Sequence, residues 1–263
     1  MLKVFANLFW VKLSAELQKR ISSVFAFMWT TKFSRFVILP YCWLFSLDSD
    51  YLEQFESEAQ KNRYSSYSDF FERRYKKFPQ IKSSQVWPCE GYVCDWGIFN
   101  EKTDSLVKGQ RLDLNSIFQS DPKDTQEHYF VNIFLHNHNY HRIHAPISGK
   151  ISKIKTIPGN LFFLRPWFYK KNDVSFPAFK NERVVIEVKD QSSQTWYLAM
   201  VGGFGVGTIE INSNTLVGRN IEIGQELAKF KLGSTVCIAS PKSITIAAYL
   251  QKVQAGETIK VRT

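Results

Sequence analysis

Apolar residues recur at steps of two to four along the start of the chain, at Leu8, Trp10, Val11, Leu13, Leu17, Ile21, Val24, Phe25 and Met28. That spacing predicts a helix with a wide apolar face. Cations edge it: Lys3, Lys12, Lys19, Arg20, Lys32 and Arg35 stand against one acid, Glu16, before Asp48. A helix so composed either lies in a membrane interface or packs on its own domain. The longest uncharged apolar stretch, Phe36 to Leu47, contains Pro40 and Ser46 and is far short of the roughly 20 residues a spanning helix needs. A secretory signal fits less well, because the apolar run from Val4 to Val11 is short and Lys12 ends it. Residues 48–78 read as helix and turn, with Ser68 as an N-cap followed by Asp69.

From about Gln85 the period changes to two. Gln85 to Val93, Tyr129 to Leu135, Arg183 to Val188, Thr195 to Val201, Gly207 to Ile211 and Thr235 to Ala239 alternate or run β-branched between Gly, Pro, Asn and Asp. No repeat or low-complexity linker divides the chain. The expected fold is α+β: N-terminal amphipathic helices over residues 1–78, packed on a β-rich sandwich or barrel-like body over residues 79–263.

The 263 residues are 44% hydrophobic and 15% aromatic, which excludes a disordered, collagenous or coiled-coil chain. A formal net charge of +10 points to an anionic partner: nucleic acid, an acidic membrane or a phosphorylated substrate. Cys42, Cys89, Cys94 and Cys237 are scattered, so a disulfide framework is not expected and a reducing compartment is. Cys89 and Cys94 have no second pair at zinc-site spacing.

Three constellations could carry chemistry. All five histidines fall between His128 and His144; in a strand, His136 and His138 would share a face, with His141 and His144 in the turn beyond. Metal ligation, acid/base catalysis and structural roles all suit imidazoles, but no carboxylate or Cys lies nearby at ligand spacing. A small-residue turn at Lys231-Leu232-Gly233-Ser234-Thr235 lacks the Gly-x-Ser-x-Gly pattern of a nucleophile elbow. The glycine-rich run from Val201 to Gly207 matches neither the dinucleotide fingerprint nor the P-loop, but it allows a backbone to approach a ligand closely.

Taken in order, Phe70-Phe71-Glu72-Arg73, Trp87-Pro88-Cys89-Glu90-Gly91, Val107-Lys108-Gly109, Tyr140-His141-Arg142-Ile143-His144-Ala145-Pro146, Pro158-Gly159-Asn160-Leu161-Phe162, Asn181-Glu182-Arg183-Val184, Val201 to Ile209 and Lys231-Leu232-Gly233-Ser234-Thr235 resemble the signature blocks of phosphatidylserine decarboxylases. The resemblance implies a proenzyme that cuts itself between Gly233 and Ser234 into a β chain, 1–233, and an α chain, 234–263. Ser234 then becomes a pyruvoyl group, the electron sink for loss of CO2, with neither metal nor pyridoxal phosphate. His144 would be the base for cleavage, oriented by Glu90. His141 would return the proton after decarboxylation, with His144 as the second candidate. Gly202, Gly203, Gly205 and Gly207 would line the headgroup site.

Glu90 stands where the family usually has Asp, and its extra methylene shifts the oxygens by about a bond length; misplacement of about 1 Å can lower a rate roughly a hundredfold, so maturation is expected to be slow. Asn139 replaces another usual acid, and Ala228 a Gly. The implied partners are phosphatidylserine, an anionic phospholipid membrane and a second copy in a homodimer, with no nucleic acid. The implied location is peripheral, on the cytoplasmic face of a bacterial membrane. Two alternatives are an unprocessed lipid-binding relative and a pyruvoyl decarboxylase of a soluble amino-acid derivative.

Overall fold

The computed structural model describes residues 9–59, 63–99, 105–107, 110–112, 115–119, 127–170, 173–205, 209–231 and 234–261. Helix α1 (Ala15–Thr30) starts later than the apolar spacing suggests, after a single 3-10 turn at Trp10–Lys12. The Ser14 side chain accepts the Leu17 N–H at 3.3 Å, and Glu16 in the first turn suits the positive end of the helix dipole. Short helices α2 (Ile38–Leu44), α3 (Ser49–Leu52) and α4 (Tyr67–Phe71) follow. The α4 cap is Ser66 rather than Ser68: Ser66 Oγ accepts the Asp69 N–H at 3.1 Å. Ser68 lies inside the helix and donates to Glu72 at 2.8 Å.

Polar residues fasten α1 to the body. Gln18 is fully buried; its Nε2 donates to the Trp10 and Leu13 carbonyls at 2.9 and 3.1 Å, and its Oε1 accepts the Leu161 N–H at 2.7 Å. Lys19 pairs with Glu182 at 2.8 Å. Phe25 and Trp29 turn inward, but Val24, Phe27 and Met28 are 66%, 69% and 57% exposed. The helix therefore packs on its own domain, as one of the two readings has it, and leaves an apolar face uncovered.

The body is built on strands β1 (Phe55–Glu56), β2 (Arg74–Tyr75), β3 (Gly91–Phe99), β4 (Ser105–Val107), β5 (Gln110–Leu112), β6 (His128–Leu135), β7 (Arg142–His144) and β8 (Gly149–Ile157). It continues with β9 (Arg183–Lys189), β10 (Thr195–Gly202), β11 (Ile209–Ile211), β12 (Asn220–Ile221), β13 (Glu226–Phe230), β14 (Ser234–Ser240) and β15 (Gln251–Val253), with helices α5 (Asn115–Phe118) and α6 (Phe176–Lys180) between strands. An antiparallel eight-stranded sheet runs β12-β8-β9-β10-β14-β6-β3-β15, and a smaller one runs β11-β13-β7. The large sheet is open, which corrects the barrel-like expectation.

Strand β14 lies inside that sheet, between β10 and β6. Val236 and Ile238 join one apolar cluster, whereas Cys237 and Ala239 join another. Burial on both faces is why the segment reads as a continuous apolar run. Strand β3 begins at Gly91, not Gln85, because Pro88 offers no N–H and its neighbours bond elsewhere: Val86 N–H to the Pro146 carbonyl at 2.9 Å, Trp87 N–H to that of Glu257 at 2.8 Å. Strand β6 ends at Leu135, so His136 and His138 occupy a turn, not a shared strand face. Strand β7 is held by Arg142, which donates to Glu226 at 2.8 Å and to the Glu72 carbonyl.

Candidate active site

Ser234 opens β14. It faces Gly202 of β10 and Leu135 of β6, is fully buried, and its hydroxyl has no hydrogen-bond partner among the described residues. It forms part of the wall of a cavity of about 460 Å³. The helical front supplies Phe25, Trp29, Tyr41 and Tyr67; the body supplies Phe134, Asn137, Arg165 and the Gly203-Phe204-Gly205 turn. An orphaned, buried hydroxyl costs roughly 1–3 kcal/mol. At the mouth of a strand and on the wall of an apolar cavity, it suits a group made from Ser234 itself. Its predicted scission partner, Gly233, lies outside the described residues, as does Gly207.

His141 is fully buried beneath Phe71, with ring centroids 3.8 Å apart. Its Nδ1 lies 2.8 Å from the Asn139 carbonyl; a carbonyl only accepts, so Nδ1 carries the proton and Nε2 the lone pair. That Nε2 has no partner among the described residues. Burial, reinforced by the Arg73 charge, holds the imidazole well below its ordinary value, so it is neutral. By the same logic His144 Nδ1–H donates to the Gly224 carbonyl at 2.8 Å, leaving Nε2 to accept from the Tyr140 hydroxyl at 2.9 Å. Burial lowers its pKa to about 4. Ser234 Oγ bonds to neither imidazole, and neither ring lines the cavity.

Glu90 does not hold His144 directly. Its Oε1 accepts from Asn139 Nδ2 at 2.7 Å, and its Oε2 accepts from the Tyr51 hydroxyl at 2.8 Å and the Tyr140 N–H at 3.2 Å. The link to His144 runs through Tyr140, whose backbone rests on the carboxylate and whose hydroxyl meets the imidazole. The replacement at 139 fits this arrangement, since an amide donates to Glu90 where a second carboxylate would repel it. Arg73, fully buried, donates to Tyr51 at 3.1 Å and to the His138 carbonyl at 2.7 Å. Tyr51 thus bridges a buried cation and a buried anion. Burial raises its pKa; Glu90 adds to this and Arg73 opposes it.

The glycines divide. Gly203 and Gly205 line the cavity. A Cβ on Gly203 would lie 2.6 Å from Leu164, and Gly205 has φ +80°, so both positions require glycine. The Gly202 N–H, however, donates to the Glu182 carbonyl at 2.9 Å and the Gly205 N–H to Ser22 Oγ at 3.3 Å; those two donors are engaged within the protein. His136 and His138 stack 4.2 Å apart. Burial, joined by a neighbouring charge, lowers both to about 4. No group of three or more metal-ligating side chains occurs among the described residues. The sequence reading missed Tyr51, Tyr140 and Arg165 at the site. Tyr51 lies in an acidic helical segment and Tyr140 among the histidines, and nothing in either pattern singles out a hydroxyl.

The family described as phosphatidylserine decarboxylase matches residues 67–261, from α4 to the last described position. A phosphatidylserine decarboxylase proenzyme of Brevibacillus brevis is 28% identical over 243 residues, covering 84% of both chains. Proteins of the same name from Geobacillus sp. and Methylobacillus flagellatus are 27% and 28% identical, covering 84% and 68% of this chain and 83% and 71% of their own. With the match to the family running over residues 67–261, most of its length, the chain belongs to the phosphatidylserine decarboxylase family.

Proposed function

We propose that this protein cuts itself before Ser234 and then decarboxylates phosphatidylserine to phosphatidylethanolamine. The observation that carries the reading is the buried, unpartnered Ser234 hydroxyl on the wall of an apolar cavity. A hydroxyl attacks a carbonyl only when a base removes its proton. His144 takes that role in the first assignment, its tautomer fixed by the Gly224 carbonyl and its other nitrogen held by Tyr140. The Ser234 oxygen bonds to the Gly233 carbonyl carbon as the peptide C–N bond breaks. Loss of the Ser234 Cα proton with cleavage of the Cβ–Oγ bond releases the Gly233 carboxylate and leaves a dehydroalanine, whose imine tautomer is hydrolysed by water to the ketone and ammonia. The pyruvoyl group so made supplies a carbonyl for the substrate amine and a sink for the electron pair left by CO2. His141, whose free Nε2 first takes up the proton that the substrate ammonium sheds, delivers it to the former α-carbon, and the aromatic walls keep water away.

A second assignment exchanges the two histidines. It is favoured by the free lone pair on His141 Nε2, where His144 Nε2 is already engaged. His144→Ala and His141→Ala separate them: the variant that stays one chain lacks the base for cleavage, and the one that is cut but releases no CO2 lacks the proton donor.

The helical front meets the bilayer. Phe33, Leu39 and Trp43 are 83%, 81% and 82% exposed and lie among Lys32 and Arg35. Such faces lie in membrane interfaces, and each cation near an anionic surface adds about 1 kcal/mol. No helix among the described residues is long and apolar enough to cross a membrane. Mass spectrometry tests the reading: purified protein should give two chains, the smaller with a blocked terminus at position 234, and should release CO2 from phosphatidylserine. Ser234→Ala should remain one chain and release none; a wild-type chain that stays whole and inactive overturns the reading.

A further inference from the structure

Arg165 stands on the cavity wall with Ser234 and Asn137. Its guanidinium carbon lies 5.7 Å from the Trp167 ring centroid and 5.9 Å from that of Phe168. Among the described residues it has neither an ion pair nor a hydrogen bond. The buried cations of the body have partners of their own: Arg73, through its terminal nitrogens, Tyr51 and carbonyls, Arg142 Glu226, Arg183 three carbonyls, and Lys229 Glu58 and Glu72. Half-buried Arg165 lines the cavity and has no counter-charge among the described residues. The nearby imidazole of His136 is neutral, lowered by burial, His138 and Arg165, so it does not compete for an anion. The Asn137 amide on the same wall also makes no hydrogen bond among the described residues.

We infer that Arg165, with Asn137 beside it, binds the phosphodiester of the lipid headgroup and so sets the preference of the cavity for anionic phospholipid. This rests on the decarboxylase reading and names a recognition residue within it. A guanidinium fork matches the oxygens of a phosphate, and charge-assisted hydrogen bonds of that kind are the strong ones. The serine carboxylate is the poorer partner. It must shed its charge as CO2 leaves, so a cation clamped on it would hold the ground state and raise the barrier. The phosphodiester keeps its charge from substrate to product.

The test uses dihexanoyl-phosphatidylserine as substrate and dihexanoyl-phosphatidylethanolamine, which keeps the phosphodiester but lacks the carboxylate, as competitive inhibitor. In R165Q both KM and Ki should rise about tenfold or more, by a larger factor than kcat falls, with self-cleavage complete. R165K should recover much of the loss. A KM within about twofold of wild type overturns the inference. A raised KM with an unchanged Ki also overturns it, because the guanidinium would then read the carboxylate. Should wild type itself release no CO2, the decarboxylase reading falls and the subsite remains decidable. Calorimetric binding of dihexanoyl-phosphatidylethanolamine to wild type and R165Q then decides the matter: weaker binding in the variant supports the subsite, equal binding overturns it.

Discussion

Glu90 shows how one methylene redistributes a buried carboxylate. Its oxygens reach Tyr51, Asn139 and the Tyr140 N–H, so the acid organises the segment that carries the histidines instead of touching His144. Glu90→Gln keeps the shape but removes the charge facing Arg73, and uncompensated buried charge costs about 3 kcal/mol; urea unfolding should show a loss of that order, and an unchanged midpoint would mean that the two do not interact. The imidazoles make stability depend on pH. The folded His144 pKa is about 4 against an ordinary 6.5, so between those values the unfolded chain binds the extra proton. Stability therefore falls as pH drops through that window, with a slope approaching about 1.4 kcal/mol per pH unit from this residue. His144→Asn should flatten the profile in denaturant titrations from pH 7 to 4. None of this was legible in the sequence: the order of blocks identified Glu90 and His144, but which hydroxyl each meets depends on helices more than thirty positions away, such as α3 with Tyr51.

Among the elements, the strands were the most legible. Residues 129–135, 183–188, 195–201 and 235–239 all lie in strands, because burial on both faces demands the β-branched and apolar residues that mark them. The histidine turn misleads because His136 and His138 continue the polarity alternation past Leu135, while Asn139 ends it by accepting the His136 N–H at 2.7 Å. Helix α1 was recognisable, but not its orientation, since its buried anchors are Gln18 and Ser22 while Val24, Phe27 and Met28 face out. Gln18→Leu would increase the apolar character of α1 and nevertheless destabilise the protein by about 2 kcal/mol, by orphaning the Leu161 N–H and removing the side-chain donor to the Trp10 and Leu13 carbonyls. A lower denaturation midpoint with the helix content retained is the expected result; a higher midpoint would show that the glutamine contributes nothing to docking.

For the whole molecule, the cavity lies where the helical front meets the sheet, with walls drawn from both. The same helices that carry the exposed apolar face therefore also wall the cavity that Ser234 lines. Leu39→Glu with Trp43→Glu should weaken binding to anionic vesicles in flotation assays while leaving self-cleavage intact, because both side chains point away from the body. Unchanged vesicle binding would remove the membrane role from this face. The position of β14 has a further bearing on what scission leaves behind. From Ser234 onward six consecutive residues pair with β10 on one flank and seven with β6 on the other, and the same stretch of chain continues to β15 at the sheet edge. A cut ahead of Ser234 severs the covalent thread but releases no fragment: the two pieces should co-purify and melt together, parting only when the whole sheet comes undone.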